Sequence, residues 1–371
     1  MIKTILGNLS PSKFLRDYWQ KKPLLIRNAH PGFGNLLTKE KLISLSTNED
    51  AQSRLVQYQH PEWSLSYGPM KKRDIAKLKG TWTLLVQDVN HFLPEAQTLL
   101  KQFNFIPHAR LDDLMVSFAP DGGGVGPHFD SYDVFLLQGS GQRLWQISKQ
   151  KDQRLVDDAP LRILKHFKPE QEWLLEPGDM LYLPPNYAHH GVAVGDCMTY
   201  SIGFRAPSHQ TIANEFLMYL QDHFEIEGMY ADPDLKATKN PAKISDSMIT
   251  KVTTVLNKIK FDKKDITNFL GQYLTEPKSH VFFNSPQLPV SKNKFLALIA
   301  KTGVSLDLKS QFLFTDDMIF MNGEAYPFKS LSTLYLKKLA DDREIFFSKN
   351  INEKTSNLLY EWYLNGFISV M

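Results

Sequence analysis

Short apolar runs separated by turn residues dominate the first 207 positions of the chain. Five of these runs are β-prone and bounded by Gly, Pro or Asp, at 134–138, 143–148, 172–175, 180–183 and 198–204. Apolar residues at helical spacing precede them, at 10–20 and 94–103. An α+β fold is therefore predicted, in which helices decorate a β-sandwich or barrel, because βαβ units would place a helix after each strand.

Longer helical patterns follow Pro207. Apolar residues recur at mostly helical spacings over 211–224 and 245–259, and Pro233 and Pro241 fall between these two stretches. Because proline interrupts a helix, the pattern predicts at least two helices rather than one long coil.

Strand patterns return after Pro277. The runs 312–314, 318–321 and 324–328 are β-prone, and Asn322-Gly323 between the last two is typical of a hairpin turn. Helical patterns flank them at 291–300, 330–340 and 355–365. We therefore predict three domains: a β domain at 1–207, a helical segment at 208–276 and a winged-helix-like domain at 277–371.

Composition narrows the class of protein. The 371 residues carry 43 Lys and Arg against 40 Asp and Glu, a balance that excludes a strongly basic nucleic-acid wrapper. Lysines are frequent at 236–309, but we expect them to form a solvated face and do not expect direct nucleic-acid binding. The single cysteine, Cys197, excludes an intrachain disulfide. With no secretory signal or long apolar span, a cytoplasmic location is expected.

Candidate chemistry lies in the glycine-rich segment 122–130. Side chains at i and i+2 of a strand project from the same face, so His128 and Asp130 can offer an imidazole nitrogen and a carboxylate oxygen to one point. The same spacing occurs at His60 and at His223, but the first precedes a proline and the second lies in a helical pattern. A buried structural histidine is the alternative to a metal ligand at His128.

A third ligand is expected from a later strand. His189 and His190 follow an apolar run and a proline-rich corner, and only one of them can face the metal in a regular strand. Two histidines and one carboxylate form the facial triad that binds iron(II) and leaves positions open for oxygen chemistry.

Such a centre needs a co-substrate that delivers two electrons, and a dicarboxylic 2-oxoacid could chelate the metal. Arg143 is a candidate cation for its far carboxylate, because a guanidinium binds carboxylates in bidentate fashion. If Ser140-Gly141 closes a hairpin, Arg143 lies opposite Gln138, on the face shared with His128. If the turn crosses between two sheets instead, this placement does not hold.

Together these residues resemble the bacterial Jumonji-C (JmjC) ribosomal oxygenases. The motifs that carry the resemblance are Phe14, Tyr18-Trp19, Lys22-Pro23-Leu24, Asp112-Asp113-Leu114-Met115, the segment 122–130, Tyr132-Asp133-Val134-Phe135, Arg143-Leu144-Trp145, Glu176-Pro177-Gly178-Asp179 and Pro184-Pro185 through His189. The resemblance implies a double-stranded β-helix (cupin-like jelly roll), followed by a helical dimerisation segment and a winged-helix-like domain.

The same resemblance implies the activity and the roles of the site residues. It implies a 2-oxoglutarate- and iron(II)-dependent dioxygenase, using O2, that hydroxylates an arginine of protein sixteen of the large ribosomal subunit, and it implies a homodimer. His128, Asp130 and His189 match the metal ligands, and Arg143 matches the residue that binds 2-oxoglutarate. Ala119 departs from the family, whose members offer a serine to the co-substrate there; Ser117 shares its strand face.

Asp121 and Asp133 are candidates to accept the guanidinium of the substrate. Two other functions stay open: a histidine hydroxylase of another ribosomal protein, and a non-catalytic cupin-like regulator that binds nucleic acid.

Overall fold

The structure, a computed structural model, describes residues 5–34, 36–329, 331–347 and 351–371. Its strands are β1 Leu24–Ile26, β2 Ser53–Gln59, β3 Glu62–Tyr67, β4 Thr81–Val86, β5 Leu111–Ala119, β6 His128–Phe129, β7 Asp133–Gln138, β8 Gln142–Ser148, β9 Gln171–Leu175, β10 Met180–Leu183, β11 Ala188–Val194, β12 Cys197–Phe204, β13 Val304–Leu306, β14 Phe312–Phe314, β15 Met318–Met321, β16 Glu324–Pro327, β17 Glu344–Ile345 and β18 Ile368–Val370. Its helices are α1 Pro11–Asp17, α2 Lys39–Leu45, α3 Lys72–Ile75, α4 Pro94–Lys101, α5 His209–His223, α6 Asp246–Leu256, α7 Lys263–Thr275, α8 Lys292–Thr302, α9 Thr333–Asp342 and α10 Glu353–Leu364.

Two antiparallel sheets face each other in the N-terminal part. The larger has the strand order β1-β10-β7-β12-β5-β4-β2-β3, and the smaller has the order β6-β11-β8-β9. On the inner face of the larger sheet, Leu136 and Leu181 pack with Trp145 and Ile147 of the smaller one. The space between the sheets is therefore the interior of a jelly roll, as the resemblance implies.

The outer face of the larger sheet packs against the N-terminal helices. Alternate residues such as Leu84, Phe135 and Tyr200 join Phe14 of α1 and Leu99 of α4 in the largest apolar core. Strands β7, β10 and β12 of this sheet are buried on both faces because helices cover one face and the second sheet covers the other. The predicted strands and both early helices are confirmed, and β2, β3 and β4 extend the sheet beyond them.

The helical segment after β12 exposes much apolar surface. Leu217 and Met218 of α5 are 64% and 54% exposed, and Leu256 of α6 is 57% exposed. Helix α7 instead packs on the C-terminal part, where a side chain at Gly271 would lie 2.4 Å from the ring of Phe320. The domain limits at 207 and 276 stay predictions.

The C-terminal part contains two three-stranded sheets with helices around them. One has the order β14-β15-β16 and the other β17-β13-β18. Asn322 and Gly323 adopt φ of 51° and 90° in the hairpin turn that the sequence predicts. Of the predicted helix at 330–340, residue 330 lies outside the described residues. No described helix is long and apolar enough to cross a membrane.

Candidate metal centre and co-substrate pocket

Two strands of the smaller sheet and the loop after β6 bring His128, Asp130 and His189 together. Strands β6 and β11 pair so that His128 lies directly opposite His189. Cross-strand partners in an antiparallel pair place their side chains on one face. Asp130 follows β6 by one residue, so its carboxylate reaches the same point as the two imidazoles.

The geometry of these three groups is compact. The imidazole rings lie 4.2 Å apart between centroids, and His189 Nε2 lies 3.6 Å from Asp130 Oδ2. One ligand atom from each residue lies within 4.8 Å of the others, and this is the one group of its kind in the described part of the chain. His60 and His223, with their nearby glutamates, belong to no such group.

Backbone hydrogen bonds orient both imidazoles. His128 Nδ1 lies 2.9 Å from the carbonyl of Gly126, and His189 Nδ1 lies 2.9 Å from the carbonyl of Tyr187. A proton on each Nδ1 leaves each Nε2 with a free lone pair. Burial and the neighbouring His128 lower the pKa of His189 to about 4, so this ring is neutral at pH 7. The three residues fit a divalent metal of the iron(II) type.

Strand alternation separates His189 from its neighbour. His189 points inward beside Trp145, at 5.9 Å between ring centroids. Gly191 makes room for that indole, because a Cβ there would lie 2.7 Å from the ring. His190 instead contacts Phe167 at 6.2 Å between ring centroids. Of the two histidines that the sequence leaves open, the structure brings His189 to the metal site.

Arg143 lies inside the jelly roll, but not by the hairpin that one alternative predicts. Strand β7 belongs to the larger sheet and β8 to the smaller one, so the turn at Ser140-Gly141 crosses between the sheets. The hairpin pairing of Arg143 with Gln138 is therefore wrong. A Cβ at Gly141 would lie 2.1 Å from the carbonyl of Asp196, at a φ of 63°. Only glycine fits this crossing.

The Arg143 guanidinium is buried with few partners. The residue is 3% exposed, one Nη donates to Cys197 Sγ at 3.5 Å, and the guanidinium carbon lies 5.7 Å from the Trp145 ring centroid. Its Nε has no hydrogen-bond partner among the described residues. A buried cation with an unused donor is suited to an anionic ligand.

The two carboxylates expected to meet the substrate are occupied elsewhere. Asp133 is fully buried and accepts hydrogen bonds from Tyr182 Oη at 2.6 Å and Gln20 Nε2 at 2.9 Å. Arg110 pairs with the same carboxylate at 3.3 Å. Asp121 lies on an exposed turn, where it accepts from the Gly195 amide at 2.7 Å. Neither position supports the prediction of a guanidinium acceptor.

A different carboxylate, that of Asp113, lies on the inner face of β5. Burial and the neighbouring Asp88 and Asp112 raise its pKa to about 7. Asp113 interacts electrostatically with Tyr132, which also interacts with Asp130 and Arg54. Sequence reasoning missed Asp113 because it singled out aspartates near the glycine loop; the inward parity of β5 is the signal that could have found it.

Comparisons with known proteins agree with this geometry. Residues 98–212 match the model of the JmjC domain, and residues 258–369 match that of the ROXA-like winged helix. The chain is 31% identical over 313 residues to the ribosomal protein uL16 3-hydroxylase of Escherichia coli, covering 84% of each protein.

Solved structures give the same result. An X-ray structure of E. coli YcfD superposes with a TM-score of 0.86 at 28% identity, covering 98% of both chains. The ribosomal oxygenase YcfD in complex with cobalt and 2-oxoglutarate superposes with a TM-score of 0.82, again at 28% identity and 98% coverage of both chains. The fold, the domain matches and the inward-facing triad agree, and the chain belongs to the JmjC-domain ribosomal oxygenases.

Proposed function

We propose that this protein is a 2-oxoglutarate- and iron(II)-dependent dioxygenase that hydroxylates an arginine side chain of ribosomal protein uL16. The convergence of His128, Asp130 and His189 on one point carries the proposal. The named activity of the E. coli relative supports the choice of substrate. The cobalt and 2-oxoglutarate complex of YcfD supports the choice of metal type and co-substrate.

In this proposal the chain binds and orients the reactants. Iron(II) and 2-oxoglutarate, when bound, supply the oxidising chemistry with O2. His128, Asp130 and His189 hold the metal through two neutral imidazoles and one carboxylate, which leaves the remaining coordination positions to the reactants. Arg143 holds the far carboxylate of 2-oxoglutarate, and its burial strengthens that ion pair by excluding water.

We propose Asp113, rather than Asp121 or Asp133, as the acceptor of the substrate guanidinium. Its carboxylate accepts the Asp88 amide at 3.3 Å, and burial raises its pKa to about 7. An arriving guanidinium would favour the ionised carboxylate. Tyr132 interacts electrostatically with both Asp113 and the metal-site residue Asp130. This shared neighbour supports a substrate position beside the metal.

We also propose that the protein acts as a homodimer in the cytoplasm. The exposed apolar side chains of α5 and α6 support an interface there, Leu217, Met218, Ile249 and Leu256 each being more than half exposed. Self-association by a two-fold axis is the commonest way to cover such a surface. A uL16 substrate supports a location where ribosomes assemble.

Turnover of ribosomal protein by the purified, iron-loaded enzyme tests the function. We expect 2-oxoglutarate-dependent release of succinate with uL16, and a gain of one oxygen atom on one arginine by tandem mass spectrometry. Oxygen gained on a histidine of another ribosomal protein would favour the histidine hydroxylase. An enzyme that binds the metal but forms no succinate from 2-oxoglutarate, whichever ribosomal protein is supplied, would favour the regulator.

A further inference from the structure

Thr83 on β4 has a buried hydroxyl that has no role in the function proposed above. The residue is 0% exposed, and its Oγ1 has no hydrogen-bond partner among the residues that the structure describes. Its neighbours Trp82 and Leu84 belong to the core on the outer face of the sheet. Alternation therefore directs Thr83 into the jelly roll, towards the side that carries Arg143.

The position of Thr83 within that interior is fixed by strand register. Leu84 pairs with Phe118 across β4 and β5, so the register continued by one residue places Thr83 beside Ala119. A Cβ on Gly123 would lie 2.4 Å from the Trp82 carbonyl and 2.9 Å from the Ala119 Cβ, which shows how closely the two strands meet the glycine loop. Cross-strand neighbours place their Cβ atoms about 5 Å apart.

Ala119 connects this position to Arg143. Ala119 pairs with Cys197 across β5 and β12, and Ala119, Cys197 and Ala193 form one small apolar cluster. The Cys197 sulfur accepts from Arg143 at 3.5 Å. Thr83 and Arg143 thus both lie next to the cluster of Ala119, Ala193 and Cys197.

Four buried groups on the inward-facing sides of the two sheets have unused protons. Besides the Thr83 hydroxyl they are Arg143 Nε, Trp145 Nε1 and Arg54 Nε of β2, each without a hydrogen-bond partner among the described residues. Buried polar groups in native proteins are nearly always hydrogen-bonded, so unpaired donors that face one interior from both sheets point to a ligand rich in acceptors. A carboxylate meets this requirement.

We propose that Thr83 donates a hydrogen bond to the far carboxylate of 2-oxoglutarate and thereby replaces the serine that is absent at position 119. This inference rests on the proposed function. Moving the hydroxyl from β5 to the adjacent β4 keeps a donor on the same inner face, because the β4–β5 register, continued by one residue, places the two positions side by side. Thr83 is a co-substrate-binding residue in this view and takes no part in holding the metal.

Ser117 is the competing source of a hydroxyl. It shares the inner face of β5 with Ala119, two residues away, and pairs with Thr199 and Leu85. It lies two residues along the strand from position 119, whereas the continued register places Thr83 directly beside that position. Position therefore favours Thr83 and makes Ser117 the matched control.

Calorimetric titration of 2-oxoglutarate into oxygen-free, manganese-loaded enzyme tests the proposal without turnover. We expect Thr83→Val, which keeps the shape and removes the hydroxyl, to weaken binding by about tenfold or more, as for a lost hydrogen bond to a charged group. Thr83→Ser should bind within about twofold of wild type. Ser117→Ala should leave the dissociation constant unchanged.

A second substitution that restores 2-oxoglutarate binding gives the most specific test. Adding Ala119→Ser to Thr83→Val should restore most of the lost affinity, since a serine at 119 offers its hydroxyl from the neighbouring position. If Thr83→Val does not fold, Thr83→Ala with and without Ala119→Ser provides the same comparison. Melting temperature in the absence of ligand checks the fold of each variant.

Each outcome decides between the alternatives. Wild-type affinity in folded Thr83→Val, or a loss of affinity in Ser117→Ala alone, overturns the role of Thr83 and leaves the proposed function intact. A wild-type enzyme that binds manganese but no 2-oxoglutarate overturns the proposed co-substrate and, with it, the role of Thr83.

Discussion

Two groups of buried polar side chains lie on the two faces of the larger sheet, and they differ in one respect. On the outer face, Asp133 accepts from Tyr182 and Gln20 and pairs with Arg110. On the inner side, the Thr83 hydroxyl of this sheet and Arg143 Nε of the smaller sheet that faces it have no partner among the described residues. A completed network stabilises the fold, whereas an incomplete one indicates where a ligand supplies the missing partners.

This difference explains why Asp133 is a poor candidate for substrate binding although its sequence position is suggestive. A carboxylate that is fully buried and already has three partners is closed to a guanidinium arriving from outside. Burial and the Asp133 hydrogen bond raise the pKa of Tyr182, so the phenol stays protonated and continues to donate. The inner face has a satisfied pair of its own, in which Gln138 accepts from Thr199 and donates to two backbone carbonyls, but the Thr83 hydroxyl has no partner among the described residues.

The largest effect is expected from Asp130→Ala. Loss of the charged ligand should abolish turnover and weaken metal binding by far more than the roughly hundredfold that follows loss of an outer-shell partner. The melting temperature of the metal-free protein should change little, because Asp130 completes no structural network. Anaerobic metal titration measures the loss.

Glu225→Ala is the matched control for Asp130→Ala. Glu225 also follows a histidine by two residues but lies outside the metal group. Its replacement should change neither metal affinity nor turnover. Equal metal affinity in wild type and Asp130→Ala would contradict the assignment of the ligands.

Asp133→Ala should lower stability and leave activity nearly unchanged, the reverse of the effect of Asp130→Ala. Removing this carboxylate leaves the Tyr182 hydroxyl and the Arg110 cation without their buried partner, so we expect a loss of about 3 kcal/mol in the free energy of unfolding. Urea unfolding measures this loss, and the activity of the remaining folded enzyme should be close to that of wild type. A stable but inactive Asp133→Ala variant would support a role of Asp133 in substrate binding instead.

Arg143→Ala should raise the 2-oxoglutarate concentration needed for half-maximal turnover by about tenfold to a hundredfold, as for a lost hydrogen bond to a charged group. Metal affinity should be nearly unchanged, because Arg143 contacts Cys197 and Trp145 and no metal ligand directly. Steady-state kinetics with varied 2-oxoglutarate separate this effect from that of Asp130→Ala. An unchanged requirement would exclude Arg143 as the carboxylate partner.

The smallest effect concerns pH and Asp113. Its pKa is raised from 3.8 to about 7 in the folded protein, so the folded state binds this proton more tightly than the unfolded state. The contribution of Asp113 to stability should therefore fall as pH rises from about 4 to about 7. Urea unfolding across this range should show a flatter pH dependence for Asp113→Asn, and an unaltered slope would contradict the raised pKa.

Local patterns were sufficient for much of the fold and for the choice of the three side chains that the structure brings together as candidate metal ligands. The alternation of strand side chains predicts that His128 and Asp130 share a face, and it predicts that only one of His189 and His190 turns inward. The Asn322-Gly323 turn is equally local, since the positive φ that it needs is encoded by two adjacent residues.

Features that depend on long-range topology could not be predicted from local sequence patterns. Whether β7 and β8 form a hairpin or cross between sheets depends on the whole strand order, so the hairpin placement of Arg143 was wrong although the residue itself lies inside the jelly roll. Thr83 and Asp113 become candidates only when the register of β4 and β5 is known. No motif surrounds Thr83, and the motif Asp112-Asp113-Leu114-Met115 does not by itself show which aspartate faces inward.

A crystal structure of the oxygen-free enzyme with manganese(II) and 2-oxoglutarate tests the central claim most directly. We predict one metal ion bonded to His128 Nε2, His189 Nε2 and an Asp130 carboxylate oxygen, with 2-oxoglutarate on the metal and its far carboxylate on Arg143. A metal bound elsewhere, or a co-substrate directed away from Arg143, would contradict the account.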